Sequence, residues 1–280
     1  MSNPNKKTNF LIIMSDEHGP MFSSTYGHPI VQTPNMDLLA QQGITFESAY
    51  CNAPLCVPSR ASFMTSQYGH RLGIYDNNCP LSVDVMTWPY WLRSQGYDVV
   101  LSGKMHLIGP DYLHGFREQL AEDIHLKHAR MPEHFWGDDS PNGIKQLPLP
   151  DPLAGAGSRI TKSQSIRIEG DIASEAAAIR YLKDPNRSDQ PWALCVGFIA
   201  PHFPFVVPEP YFYMYYPANV DLPNIPEDHL GNLPPAAKRL RESFGIHDQY
   251  STDEILRARA AYYGQITWMD EKIGNLYRYH

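Results

Sequence analysis

Residues 10–14 form a continuous apolar run, Phe-Leu-Ile-Ile-Met, with no polar position inside it. A run without alternation is typical of a strand that is covered on both faces, as in a parallel sheet. Residues 97–101 and 192–199 predict two further strands, and residues 44–50 alternate between polar and apolar positions as a strand does.

Helices are predicted between and after these strands from capping residues and from apolar positions at helical spacing. They cover residues 33–43, residues 87–95, residues 171–183 and a long amphipathic segment from the capping box at 251–254 to the end of the sequence. This alternation of strands and helices predicts an α/β fold with a mostly parallel central sheet flanked by helices.

Length and composition are those of a globular protein. With 280 residues and 42% hydrophobic content, the chain can bury one large core or two smaller ones. Residues 118–165 and 201–250 lack regular patterns and are expected to form loops over a pocket. The nine prolines between positions 201 and 235 exclude long regular elements there.

Net charge and cysteine content indicate which kinds of binding partner and which cellular compartment to expect. A formal net charge of -7 argues against a general nucleic-acid surface or an anionic-membrane surface. Four cysteines are too few for a disulfide scaffold in a chain of this length, and they are expected to be reduced thiols. The apolar run at 10–14 is too short for a signal peptide, and no segment is long enough to span a bilayer, so we expect a cytoplasmic protein.

The segment Cys-Val-Pro-Ser-Arg at 56–60 suggests reactive chemistry. Pro58 suits the first turn of a helix, so Cys56 would lie at the positive end of that helix, with Arg60 one turn later. The free backbone N–H groups at such an end favour an anion. Taken alone, a cysteine such as Cys56 is most often a small buried apolar side chain.

Polar residues follow the predicted strands, where ligands of parallel sheets bind. Asp16 and Glu17 offer hard oxygen donors suited to Ca²⁺ or Mg²⁺ after the first strand. Lys104 and His106 could hold one tetrahedral anion, and His202 lies between two prolines after a later strand. Each also has a structural explanation, as a loop-capping acid, a surface lysine or a packed histidine, but together they supply groups for a metal and an anion.

These residues, with Cys56-x-Pro58-Ser59-Arg60, resemble the formylglycine-dependent sulfatases of the alkaline phosphatase superfamily. The resemblance covers nearly the whole chain, and residues 102–111 and 113–116 are similar to choline-sulfatase-like members. It implies hydrolysis of small-molecule sulfate monoesters to an alcohol and inorganic sulfate. Cys56 would be oxidised to formylglycine by a formylglycine-generating or anaerobic sulfatase-maturing enzyme. One hydroxyl of the hydrated aldehyde would attack sulfur, and the second would let the sulfated intermediate collapse.

The resemblance also implies a role for each site residue. The metal site would contain Asp16, the modified Cys56 and Glu17, holding Ca²⁺ with Mg²⁺ or Mn²⁺ as alternatives. Arg60 would bind the hydrate, Lys104 would contact the sulfate and the leaving oxygen, and His202 would donate a proton to the leaving group. His106 would accept a proton, and Asn77 would contact the sulfate.

Two departures and two alternatives accompany this hypothesis. Many relatives carry Asp or Gln after the first acid, where this chain has Glu17. The family pattern places a further Asp with His or Asn before Gly, and another Lys, after the long helix, and nothing after Asp270 offers it. Residues 1–280 are therefore expected to be the larger part of a catalytic domain that by itself binds metal weakly and turns over slowly or not at all. The alternatives are a degenerate anion-binding protein with an unmodified Cys56 and a phosphodiester or phosphonate monoester hydrolase. A second copy of the chain, in a homo-oligomer, is among the partners considered.

The alcohol side of the substrate is suggested only by aromatic residues. Trp88, Trp136 and the Tyr-rich segment 211–216 could form an aromatic wall or a cage for a quaternary ammonium, such as that of choline sulfate. Such residues are more often core or oligomer contacts.

Overall fold

A four-stranded, all-parallel sheet lies at the centre of the computed structural model, which describes residues 7–124, 156–157, 162–226, 228–243 and 250–279. The spatial order is β1-β4-β2-β3. The strands are β1 (Phe10–Met14), β2 (Asp98–Gly103), β3 (Glu118–Gln119) and β4 (Trp192–Gly197). This arrangement confirms the α/β class and the three predicted apolar strands.

Helices flank this sheet, and two of them have the predicted signals at their starts. They are α1 (Pro34–Gln42), α2 (Cys56–Thr65), α3 (Gly69–Leu72), α4 (Trp88–Ser94), α5 (Lys162–Lys183), α6 (Glu209–Tyr213), α7 (Pro235–Ser243) and α8 (Thr252–Tyr277). Thr33 and Gly43 flank α1, and Ser251 forms the predicted capping box with Glu254. Among the helices described, none has both the length and the apolar character needed to cross a bilayer.

The central strand β4 is buried on both faces, which explains its uninterrupted apolar sequence. Leu194 and Val196 belong to the core cluster that also contains residues of α5 and α8. Ala193 and Cys195, which alternate with them, belong to a second cluster with Met64 of α2. All four cysteines are free thiols, as expected.

The predicted strand at 44–50 is wrong. Those residues have no strand conformation, and the side chains of Ile44, Phe46 and Tyr50 are 81%, 70% and 91% exposed. An alternating pattern becomes a strand only when a neighbouring strand completes its hydrogen bonds, and within the described residues none lies beside this segment.

Two other boundaries differ from expectation. Helix α5 begins at Lys162 rather than near residue 171. The expected irregular stretch at 201–250 contains the short helices α6 and α7, whereas most of 118–165 lies outside the described residues. Pro208, Pro210 and Pro235 fall at or beside helix starts, where proline is tolerated because the first N–H groups need no helical partner.

Parallel pairing brings the carboxyl ends of three strands to one edge of the sheet. Met14 of β1 and Gly103 of β2 both lie beside Gly197 of β4 in the strand register. The polar segments that follow β1, β2 and β4 therefore emerge next to one another, as expected for a ligand site in an open α/β sheet.

Candidate active site

Asp16 lies at the centre of this edge and is 7% exposed. Its carboxylate accepts a hydrogen bond from the Lys104 ammonium, and Arg60 Nη2 lies 3.6 Å from Oδ1. Burial by itself raises the pKa of Asp16, but the charges of Lys104 and Arg60 outweigh it and lower that pKa to about 2. Asp16 is therefore a carboxylate at all ordinary pH values.

Cys56 is the first residue of α2, so its side chain lies at the positive end of the helix. Its Sγ is 3.7 and 3.8 Å from the two carboxylate oxygens of Asp16 and 3.8 Å from Lys104 Nζ. Burial raises the pKa of the Cys56 thiol despite the nearby Lys104. An unmodified Cys56 is thus a protonated thiol rather than a thiolate nucleophile at neutral pH.

Lys104 is 1% exposed, and the backbone around it fixes its position. Its N–H donates to Gly197 O at 2.8 Å, and its own carbonyl accepts from Arg60 Nη1 at 2.9 Å. Gly103 has φ +80, a left-handed conformation that glycine adopts without strain. The strand ends therefore hold a buried ammonium between a carboxylate and a thiol.

His202 borders the same cluster. One ring nitrogen lies with the Cys56 sulfur and an Asp16 oxygen in a set of atoms within 4.8 Å of one another. Its Nε2 is 3.3 Å from Glu17 Oε1, and its Nδ1 is 3.2 Å from Arg167 Nη1 of α5. Burial, followed by the charge of Lys104, lowers the pKa of His202 to about 3. The ring is therefore a neutral imidazole at neutral pH.

Glu17 differs from its neighbour Asp16. Burial and repulsion by Asp16 raise its pKa to about 7. It has φ 59, and its carbonyl accepts a hydrogen bond from the Tyr262 hydroxyl at 2.8 Å. The same hydroxyl accepts from the Gly19 N–H at 3.0 Å, so a side chain of α8 fixes the loop that carries Asp16.

Replacing Tyr262 with phenylalanine should lower the free energy of unfolding by about 1–2 kcal/mol, because both loop hydrogen bonds are lost. Urea unfolding followed by circular dichroism measures the change. Tyr213→Phe is the matched control, since Tyr213 is 59% exposed. Equal stabilities of the two variants would contradict the role given to Tyr262.

Two other predicted site residues occupy less direct positions. Asn77 lies at the start of α2, where its Oδ1 accepts from the Val57 N–H at 2.9 Å. His106 has φ 55, and its N–H donates to Asp123 at 2.6 Å. His106 is not part of the group formed by Asp16, Cys56 and His202.

Three of the aromatic residues suggested for the alcohol side are packing contacts. Trp88 packs edge-on against Phe116 in one core cluster, whereas Phe212 and Tyr215 are buried in the other. Tyr213 is 59% exposed, and Trp136 lies outside the described residues.

The donors available to a divalent cation are an oxygen pair, a sulfur and an imidazole. Asp16 suits Ca²⁺, which takes six to eight oxygen ligands, but the thiol of Cys56 does not. An oxygen-bearing side chain at position 56 would fit the same place. Glu17 Oε1 lies 3.3 Å from His202 Nε2 and so offers a further oxygen at the border of this group.

Three residues that support this edge carried no recognisable signal in the sequence. Arg167 and Asp171 lie on α5, more than 100 residues along the chain from Cys56. Asp171 accepts from the N–H groups of Ile199 and Ala200 at 2.7 and 2.9 Å and so fixes the segment before His202. In the sequence, Tyr262 is simply one of the apolar positions of α8, and only the folded structure shows that it lies at the loop that carries Asp16.

Comparison with known proteins identifies a family that this chain matches. The family model described as Sulfatase matches residues 8–279. The choline-sulfatase of Rhizobium meliloti (strain 1021) is 32% identical over 280 residues, which cover 96% of this chain and 53% of that protein. The arylsulfatase of Clostridium perfringens is 28% identical over 292 residues, or 96% of this chain and 58% of that protein. The chain thus spans about half the length of the curated relatives it matches.

Solved structures with a similar fold include two phosphonate monoester hydrolases. The enzyme of Agrobacterium radiobacter has a TM-score of 0.70 and 25% identity, with 97% of this chain and 59% of that chain covered. The enzyme of Silicibacter pomeroyi has a TM-score of 0.67 and 26% identity, with coverages of 96% and 58%.

Proposed function

The chain belongs to the sulfatase family, and from that membership we propose that the protein hydrolyses sulfate monoesters, with Cys56 converted to formylglycine as the nucleophile. The observation that carries the proposal is the buried cluster at the strand ends. Asp16, Cys56 and Lys104 lie within 3.8 Å of one another, with His202 at their border. The Lys104 ammonium and the helix end directed at one reactive side chain suit a tetrahedral anion, and the Asp16 carboxylate suits a divalent cation beside it.

The state of the thiol supports a need for modification. Because burial raises the pKa of Cys56, the unmodified side chain is protonated and is a poor nucleophile. A hydrated formylglycine supplies one hydroxyl that attacks sulfur and a second that allows sulfate to be released. Oxygen at this position would also lie beside Asp16 and Lys104, which hold the sulfur now.

The surrounding residues have distinct proposed roles. Lys104 neutralises charge on the sulfate and on the leaving oxygen, and its burial strengthens that interaction. Arg60, held through Lys104 O, orients the modified side chain. His202, neutral and bordering the cluster, donates a hydrogen bond to the leaving group. His106 would accept the proton during release, and Asn77 would contact sulfate.

A divalent cation, Ca²⁺ with Mg²⁺ or Mn²⁺ as alternatives, would be held by Asp16 and by the oxygen of the modified residue 56, with Glu17 as a further ligand. When bound, such an ion polarises the sulfate and favours the ionised hydroxyl. Asp16 is suited to this because its carboxylate stays ionised even in a buried position.

Mass spectrometry of the peptide containing Cys56 tests the proposal. In the full gene product that carries this chain, co-expressed with a formylglycine-generating enzyme, we expect an aldehyde at position 56 and turnover of an aryl sulfate in the presence of Ca²⁺. The same gene product expressed without that enzyme is the control, and it should retain the thiol and be nearly inactive. An aldehyde-bearing gene product that cleaves no sulfate ester would refute the proposal, and a thiol that persists would favour the degenerate anion-binding alternative.

The similarity to two phosphonate monoester hydrolases favours a second candidate, in which the same site cleaves phosphodiesters or phosphonate monoesters. Both kinds of substrate present a tetrahedral anion. Comparing kcat/KM for an aryl sulfate and an aryl phosphonate on one matured sample decides between them.

The choline-sulfatase relative makes choline sulfate the first alkyl substrate to test, and much faster cleavage of an aryl sulfate would exclude it as the preferred substrate.

A further inference from the structure

Asp123 is a buried acidic residue with no role in the reaction described above. It follows β3 and is 2% exposed. Its carboxylate oxygen Oδ2 accepts a hydrogen bond from the N–H group of Met105 at 2.9 Å and another from the N–H group of His106 at 2.6 Å. Successive backbone N–H groups that point at one place form a concavity for an anion. Here that concavity, directly after β2, holds an acidic side chain of the protein itself.

The backbone that Asp123 binds has a conformation that needs support. His106 has φ 55, in the left-handed region, which a residue with a Cβ atom adopts only at an energetic cost. Hydrogen bonds to an ionised acceptor are stronger than those between neutral groups, whereas a buried N–H group without a partner is destabilising. The two bonds to Asp123 therefore stabilise the left-handed turn at His106.

The backbone of Lys104 is held from two sides. On one side, its N–H group donates to Gly197 O of β4 at 2.8 Å. On the other side, Gln119 Nε2 donates to Gly103 O at 2.9 Å, directly before Lys104. Asp123 binds the two residues directly after it. Lys104 therefore lies between β4 and the segment that includes β3, with bonded backbone groups before and after it.

We propose that Asp123 is a positioning residue, which fixes the turn after β2 and thereby the direction in which Lys104 enters the active-site cluster. The Lys104 ammonium is 3.8 Å from the Cys56 sulfur and donates to Asp16. Because this ammonium is at the end of four methylene groups, a small rotation of the backbone moves it relative to both partners.

The neighbouring strand end is built in the same way. Asp171 of α5 accepts the N–H groups of Ile199 and Ala200, which follow β4. In both cases the acid comes from a different part of the chain than the turn that it binds, and the turn lies next to a proposed site residue, which is His202 for Asp171. This recurrence favours a positioning role for Asp123 over the filling of space alone.

The catalytic consequence rests on the proposed function. If Lys104 neutralises charge on the leaving oxygen, a displaced ammonium costs most where that charge is greatest. Sulfate esters of poor leaving groups develop more charge on this oxygen in the transition state, so they depend more on Lys104. Misplacement of a group by about 1 Å can lower a rate by about 100-fold.

Hydrogen exchange of the full gene product that carries this chain tests the turn without any need for activity. Mass spectrometry with fragmentation to single residues follows the exchange. In the wild type, the N–H groups of Met105 and His106 should exchange slowly. In Asp123→Asn, whose amide oxygen is a weaker acceptor, both should exchange about 10-fold faster. Residues 99–101 of β2 should keep their wild-type rates.

Kinetics of the matured gene product separate positioning from stability. The substrates are a series of aryl sulfates whose phenols differ in leaving ability. In Asp123→Asn, kcat/KM should fall by about 10-fold to 100-fold for the poorest leaving group and by a smaller factor for the best. A loss of folded protein would lower kcat/KM by the same factor for every substrate.

Asp111→Asn is the matched control. Asp111 Oδ1 also accepts two successive N–H groups, those of Leu113 and His114, at 3.0 and 2.9 Å. That loop carries none of the proposed site residues, so Asp111→Asn should match the wild type in the exchange of residues 105–106 and in the kinetics.

Three results would overturn the inference: fast exchange at residues 105–106 in the wild type, unchanged exchange there in folded Asp123→Asn, or an equal kinetic loss for every aryl sulfate. The wild-type exchange decides the first even if the variant fails to fold. Faster exchange in a matured protein that cleaves no sulfate ester refutes the proposed function alone. Unchanged exchange in an active protein refutes the role of Asp123 alone.

Discussion

Replacing Lys104 with methionine should lower the free energy of unfolding by about 3–5 kcal/mol, because the buried carboxylate of Asp16 loses its closest cation. The apolar stem of methionine occupies the space of the lysine, so lost packing contributes little. Arg60 remains 3.6 Å from Asp16 and prevents a complete loss of compensation. Urea unfolding at neutral pH measures the change. Lys238→Met, at an exposed lysine, should alter stability by less than about 0.5 kcal/mol.

The pH dependence of stability gives this prediction a specific signature. The pKa of Asp16 is about 2 in the fold against 3.8 for a free carboxyl, so its contribution to stability is present above pH 3.8 and lost as the pH falls through 2. In wild type this amounts to about 2 kcal/mol. Lys104→Met removes much of the opposing charge and should flatten this part of the profile. A Lys104→Met variant that still loses as much stability at acidic pH as the wild type would contradict the pairing of Asp16 with Lys104.

Gly197→Ala should prevent stable folding or lower the free energy of unfolding by at least about 3 kcal/mol. A Cβ atom at this position would lie 1.7 Å from Lys104 O and 2.7 Å from Lys104 C, both backbone atoms of the adjacent strand end. Relief requires β2 and β4 to move apart at the point where Lys104 N donates to Gly197 O. Overpacking of a core commonly costs about 1–3 kcal/mol, and a clash between backbones cannot be relieved by a change of rotamer.

Thermal and urea unfolding of Gly197→Ala, beside Gly231→Ala, test this expectation. The nearest atom to a Cβ at position 231 is Asp228 O at 3.5 Å, an ordinary contact, so that control should change stability by about 0.5 kcal/mol or less. Equal effects of the two substitutions would show that the strand ends are not packed as described.

Features of the fold that depend on local sequence were predictable. The strand at 10–14 and the helix between Thr33 and Gly43 coincide with their apolar runs and capping residues. The predicted helix start at Cys56 places the thiol at a helix end, because Pro58 suits the first turn. Parallel strands then bring the segments after them together, and Asp16 and Lys104 were found from that rule.

Features that depend on distant partners were not predictable from local patterns. Residues 44–50 have the alternation of a strand, but a strand needs a neighbour that the pattern itself does not specify. Arg167 and Tyr262 act through contacts with segments 35 and 245 residues away. A half-buried arginine and a helical tyrosine each have many ordinary uses, so only the packing of α5 and α8 reveals what they hold.

The strand order has a consequence for biosynthesis. Strand β4 is made after β1 and β2, yet it inserts between them, with partners about 180 and 90 residues earlier in the chain. Until residue 197 has left the ribosome, both earlier strands lack their central neighbour and present unpaired, apolar edges. Such long-range closure is slow and exposes the nascent polypeptide to misassociation, so holding chaperones should engage this stage of synthesis.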